Sequence, residues 1–202
     1  MKPLARALAF AVLLPTGSVA EEPDPGARVT GFHGELLAAM QSGLDFAGRS
    51  EALRDRVAAF FDIETISRIS LGRTWRSLDA PAQAEFSELL QRLIVATYAS
   101  RFATYSGQSF HTLSSEAASR GWVVKTELAR SNGEKVTLDY YFRDAGVFNV
   151  VADGVSDLSL RRADYNSIVK SDGYAALLEH LRSKIAEYAS TEEDSHKDTQ
   201  GE

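Results

Sequence analysis

Ser156 and three aspartates, Asp153, Asp157 and Asp164, crowd into the short span between Asp153 and Tyr165. A serine near carboxylates is raw material for nucleophilic catalysis, and carboxylates at loop spacing bind calcium. The spacing supports neither. Gly154-Val-Ser-Asp-Leu158 carries leucine where a hydrolase elbow needs its second glycine for the sharp turn. The three aspartates do not fall at the positions of a calcium loop. The four histidines, His33, His111, His180 and His196, are far apart. None has a second histidine, a cysteine or a carboxylate at metal-ligand spacing. Leu71-Gly-Arg-Thr-Trp-Arg76 has neither the second glycine nor the lysine-serine pair of a phosphate loop, so nucleotide binding is unsupported. Arg161 and Arg162 could grip a phosphate or a partner carboxylate, although a solvated helix start is the commoner meaning of such a pair. No catalytic residue, metal site or cofactor follows from these patterns.

The elements that position these residues change period along the chain. Phe32, Leu36, Leu37 and Met40 form one helical stripe, and Leu53, Val57, Phe60 and Phe61 a second. Asp62 is placed to cap a third, short helix carrying Ile63, Ile66 and Ile69. Asp79-Ala-Pro81 starts a long helix, because proline is tolerated in the first turn, where its missing N–H costs nothing. Its broad apolar face runs from Phe86 to Tyr105. Residues 109–115, 122–128, 136–143 and 147–153 then read as strands separated by turn signals at Ser131-Asn-Gly133 and Asp144-Ala-Gly146. Trp122, Val124, Thr126 and Leu128 share one strand face; Val136, Leu138, Tyr140 and Phe142 share another. Helical spacing returns from about Arg161 and is interrupted at Ser171-Asp-Gly173. The order predicts an α+β fold, with helices packed on a curved antiparallel sheet of about four strands.

The chain has 202 residues, no cysteine and a formal charge of −6. Residues 1–20 read as an export signal: Lys2 and Arg6 form a basic start, 7–14 an apolar core, and Ser18-Val-Ala20 a small-residue cleavage site before Glu21. Cleavage there removes Lys2 and Arg6 and takes the charge from −6 to −8. Such a surface disfavours nonspecific binding to nucleic acid or anionic lipid surfaces, and the apolar run is too short to span a bilayer. Residues 21–28 read as an extended leader, 29–190 as one domain, and 191–202 as a disordered acidic tail. Without disulfides, stability must come from the core.

Leu71-Gly-Arg73 with Trp75, Pro81 with Phe86 and Tyr98, Tyr140, Gly154-Val-Ser156, Arg162 with Tyr165, and Gly173 before Leu177 occur in an order that resembles the MlaC, or toluene-tolerance, family of periplasmic phospholipid-binding proteins. The form Ala152-Asp-Gly-Val-Ser-Asp-Leu158 is most similar to its hopanoid-biosynthesis-associated branch, HpnM. The resemblance covers roughly Phe32 to Ala189. It implies an NTF2-like cone enclosing an apolar cavity, a phospholipid or hopanoid ligand, and a noncatalytic periplasmic shuttle. The implied partners are an inner-membrane MCE-type ABC transporter and an outer-membrane lipoprotein complex. Two departures stand out: Ala145-Gly146 replace a tryptophan usual in the family, which could widen the cavity, and Asp157 replaces an apolar residue, which bears on cargo choice.

If such a cavity exists, the predicted faces nominate Phe60, Ile66, Trp75, Leu93, Tyr98, Phe102, Trp122, Val124, Leu138, Tyr140, Phe142 and Val150 as its lining, with Arg162 at the head group. Periodicity cannot separate a lipid cavity from a closed core, since both use the same residue types. Two other classes compete. A small enzyme in an NTF2-like pocket would use Asp139, Tyr140 or Tyr141 for acid-base work and needs a buried carboxylate in the cavity. A noncatalytic adaptor of a membrane complex would have no cavity.

Overall fold

Five helix starts use the same local device. Asp24, Asp45, Asp62, Asp79 and Ser156 each accept a hydrogen bond from a backbone N–H of the first turn that has no partner within the helix. They open α1 (Pro25–Gln41), α2 (Phe46–Phe60), α3 (Ile63–Leu71), α4 (Ala80–Arg101) and α5 (Asp157–Asp172), and α6 (Tyr174–Thr199) follows α5 directly. A computed structural model describes residues 24–143 and 146–199, with side chains described to 191. Residues 1–20, where an export signal is expected, and residues 21–23 lie outside the described residues.

The leader is shorter than the sequence suggests, because Asp24 accepts from Gly26 and Ala27 and Pro25 takes the first helical position. Helix therefore replaces extended chain at residues 25–28. At the other end α6 carries helical backbone to Thr199, where disorder is expected from residue 191. The tail is fed by an already packed helix, and extending a helix is far easier than nucleating one. The helix after the sheet likewise begins at Asp157 and not near Arg161, since Ser156 caps it by accepting from Ser159 N at 3.1 Å.

Between α4 and α5 lies an antiparallel sheet in simple sequence order: β1 (Ser109–Ala118), β2 (Gly121–Ala129), β3 (Lys135–Arg143), β4 (Gly146–Ala152) and the two-residue β5 (Val155–Ser156). The predicted α+β architecture is thus the observed one, with β5 as an extra short strand. A bulge between Thr112 and Ser114 bends β1, and a second irregularity between Tyr141 and Phe142 bends β3 against β4. Asp153 and Gly154 both have positive φ, 47° and 80°, which lets β4 reverse into β5 in two residues. The Asp153 carboxylate fixes that reversal by accepting from Thr137 N at 2.8 Å.

Helices α1, α2, α3 and α5 touch the sheet, while α4 packs mainly on α2 and α6. One end of the space under the helices is filled by rings: Phe32 stacks on Phe60 at 4.0 Å, and Phe60 meets Phe61, Tyr140 and Phe142 edge-on. Gly146 belongs to this end. A β-carbon there would lie 2.7 Å from the Phe60 carbonyl oxygen, so glycine lets β4 approach the α2–α3 junction, where Asp62 N donates to Val147 O at 2.9 Å. Gly146 therefore tightens the closed end and does not widen a cavity; Ala145 lies outside the described residues.

Candidate functional site

Where α4 stands off from the strands, a cavity of about 420 Å3 remains. Such a volume falls in the range of small-molecule sites. Helices α3 and α4 give it Ile66, Ile94, Tyr98 and Phe102; the strands give Leu128, Val136, Leu138, Tyr140, Phe148 and Val150. Met40 and Phe61 close one side. One end is polar instead: Arg101 from the last turn of α4, Gln108, Arg130, Asn149, and Asp157 with Arg161 from the first turns of α5.

Six of the twelve nominated residues line this space: Ile66, Tyr98, Phe102, Leu138, Tyr140 and Val150. The other six are elsewhere. Phe60, Val124 and Phe142 share the correct face but are buried in the packed core. Trp75 is a core residue against Phe86, at 6.5 Å between ring centres. Leu93 turns toward a second cavity between α4, α5 and α6. Trp122 is 42% exposed, because its place at the β1–β2 hairpin lies beyond the helices that cover the rest of β2. Arg162 is exposed and lines neither space, whereas its neighbour Arg161 lines both. The polar residues left out of the nominated set share a readable signal, for Asp157, Arg161 and Tyr165 are spaced i, i+4 and i+8 on one helix face.

Arg161 Nε donates to Asp157 Oδ2 at 2.6 Å and an Nη donates to the Tyr165 hydroxyl at 3.1 Å. The arginine side chain is only 12% exposed, while the aspartate is 50% exposed. Burial works against the Arg161 charge, yet Tyr165 and Asp157 hold its pKa above the ordinary arginine value. It is a fixed cation in the cavity wall. Tyr98 presents its hydroxyl to this end without a hydrogen-bond partner among the described residues, and burial, with the nearby Asp157 charge, raises its pKa. Tyr140 is committed instead: its hydroxyl lies 2.9 Å from His33 Nε2. His33 is 3% exposed and stacks on Phe110 at 4.0 Å, and burial pushes its pKa down to about 4.

The catalytic alternatives lose their residues to other duties. Ser156 caps α5 and donates to Asn149 Oδ1 at 3.0 Å. Asp139 and Tyr141 alternate with Leu138 and Tyr140 along β3 and do not line the cavity. Asp157 is the cavity's carboxylate, and it is half exposed and ion-paired. His180 and Asp164 come within 3.5 Å of each other across α5 and α6, but no group of three metal-binding side chains forms among the described residues. Nor, among those residues, is any helix long and apolar enough to cross a membrane.

The fold is thus of the α+β class, six helices packed on a five-stranded antiparallel sheet, with a cavity of apolar and charged lining between them. Residues 33–183 match the family described as MlaC protein, and the chain belongs to that family. Among solved structures the chain is similar to a phospholipid-binding protein from Ralstonia solanacearum in complex with a phospholipid. The two share 21% identity with a TM-score of 0.73, over 83% of this chain and 99% of that one. Comparison with curated proteins gives no match.

Proposed function

We propose that this protein is a noncatalytic periplasmic carrier that holds a phospholipid or a hopanoid by its apolar part and moves it between an inner-membrane MCE-type ABC transporter and an outer-membrane lipoprotein complex. The observation that carries the reading is the cavity between α4 and the strands, with apolar walls and a charged end. Family membership and the phospholipid in the Ralstonia solanacearum relative support it. The physical need is plain. At about 0.8 kcal/mol per methylene, two acyl chains of about thirty carbons face roughly 25 kcal/mol of hydration cost in water. Unaided passage through an aqueous compartment is negligible at that cost, and an apolar cavity that offsets most of it makes the passage possible.

Protein purified without detergent is expected to yield lipid in stoichiometric amount on organic extraction and mass spectrometry. A folded, stable preparation free of lipid, which also takes none from vesicles, would refute the proposal.

A further inference from the structure

Two cavities meet at one ion pair. The apolar cavity beside the sheet and a second space of about 350 Å3 between α4, α5 and α6 share four lining residues: Thr97, Arg101, Asp157 and Arg161. Thr97 is spoken for, donating to Leu93 O at 2.8 Å. Arg101 has no ion pair or hydrogen bond among the described residues, and neither has the Tyr98 hydroxyl. Tyr98, Arg101, Asp157 and Arg161 all line the first cavity, and the charges of Asp157, Arg101 and Arg161 act on the Tyr98 hydroxyl. On the far side the second space adds Asp164, His180 and Lys184. His180 lies beside Asp164, and Lys184 is paired with Glu187 at 2.7 Å.

We propose that Asp157 is an internal stand-in for a phosphate: in the empty protein its carboxylate occupies the Arg161 guanidinium, and the phosphate of a bound ligand displaces it. Three features of the site argue for exchange. The guanidinium is nearly buried and rigidly held by Tyr165, so it is pre-organised for an oxyanion. Its present partner is half exposed, so a released Asp157 is returned to water at little cost. Two further donors line the same cavity without a hydrogen-bond partner among the described residues, the Tyr98 hydroxyl and the exposed Arg101 guanidinium, and a phosphate has more oxygens than a carboxylate to offer them. The inference rests on the carrier reading for its ligand, a phosphate diester on an apolar body. It adds that the charged end selects phosphate-bearing lipid over neutral lipid.

The test is a competition for the full chain between phosphatidylglycerol and diacylglycerol, supplied at equal mole fraction in vesicles, with bound lipid extracted and the ratio measured by mass spectrometry. Asp157→Asn, which removes the competing charge, is expected to raise the ratio about threefold or more. Tyr98→Phe and Arg101→Gln are expected to lower it by a similar factor, and Arg162→Gln to leave it unchanged. Tyr98→Phe keeps the ring that stacks on Phe102 at 5.8 Å, so its effect reports the hydroxyl and not the fold. A separate arm adds inorganic phosphate alone: a rise in Tm for Asp157→Asn that Arg101→Gln abolishes would show that the site takes the free ion as well as a head group. A ratio unmoved by Asp157→Asn and Tyr98→Phe, with total bound lipid intact, overturns the exchange and leaves the carrier standing. Binding of neither lipid overturns both.

Discussion

The two ends of the space beneath the helices are built from the same kinds of residue by the same strands, yet one is full and the other hollow. At the full end Phe32, Phe60, Phe61 and Phe142 interlock, and Gly146 lets β4 close up against α2. At the hollow end Leu138, Val150 and Phe148 face Tyr98 and Phe102 across about 420 Å3. Residue chemistry does not separate the two. Reach does: at the full end helices α1, α2 and α3 touch the sheet, whereas α4 is held away from it by its packing on α2 and α6. Tyr140 and Phe61 stand at the border, each edge-on to Phe60 and also in the cavity wall.

If that contrast is right, substitutions at the two ends must separate stability from ligand retention. Phe60→Ala removes the ring at the centre of the full end and is expected to cost about 3–5 kcal/mol in urea unfolding. A loss below about 1 kcal/mol would mean that the full end is not what stabilises the fold. Acidification comes next. His33 is neutral when folded, with its pKa at about 4, while the unfolded chain titrates near the ordinary value of 6.5. Between those values the unfolded state binds more protons, so stability is complete above about 6.5 and falls as pH drops toward 4. At pH 4.5 the loss is about 2–3 kcal/mol relative to pH 7. His33→Gln should flatten this slope in urea midpoints, and an unchanged slope would assign it to other groups. The smallest effect on stability belongs to the hollow end. Leu138→Trp fills existing space and is expected to shift unfolding by less than about 1 kcal/mol, because no close packing is disturbed. Extractable lipid should fall several-fold in the same variant; normal lipid content would place the ligand elsewhere.

Much of the fold is legible in the sequence because its signals are local. Asp62, Asp79 and Pro81 announce helix starts through backbone groups within three residues, and the glycines at 133 and 173 mark turns by their need for positive φ. The site is less legible because it depends on what lies across from a residue. Phe142 and Leu138 share a strand face, and only the position of Phe60 makes one core and the other cavity wall. Trp122 has the parity of Val124, but parity carries no information about where the covering helices end. The exchange of Arg162 for Arg161 follows from helix phase. Starting α5 at Asp157 sets Arg161 one turn along on the inward face and turns Arg162 outward, by about 100° per residue.

The order β1-β2-β3-β4-β5 has a consequence for association in concentrated solution. Half of the peptide groups of β1 face away from β2, on a strand of ten residues, and form a template to which another chain can add. The bulge between Thr112 and Ser114 and the charge of Glu116 are the features that oppose such templating, and exposed Leu113, the unpaired residue of the bulge, is the one that favours it. No residue of β1 lines the cavity, which draws on β2, β3 and β4. The exposed edge and the cavity wall therefore belong to different strands, so replacing Leu113 with lysine is expected to blunt the edge without altering the cavity.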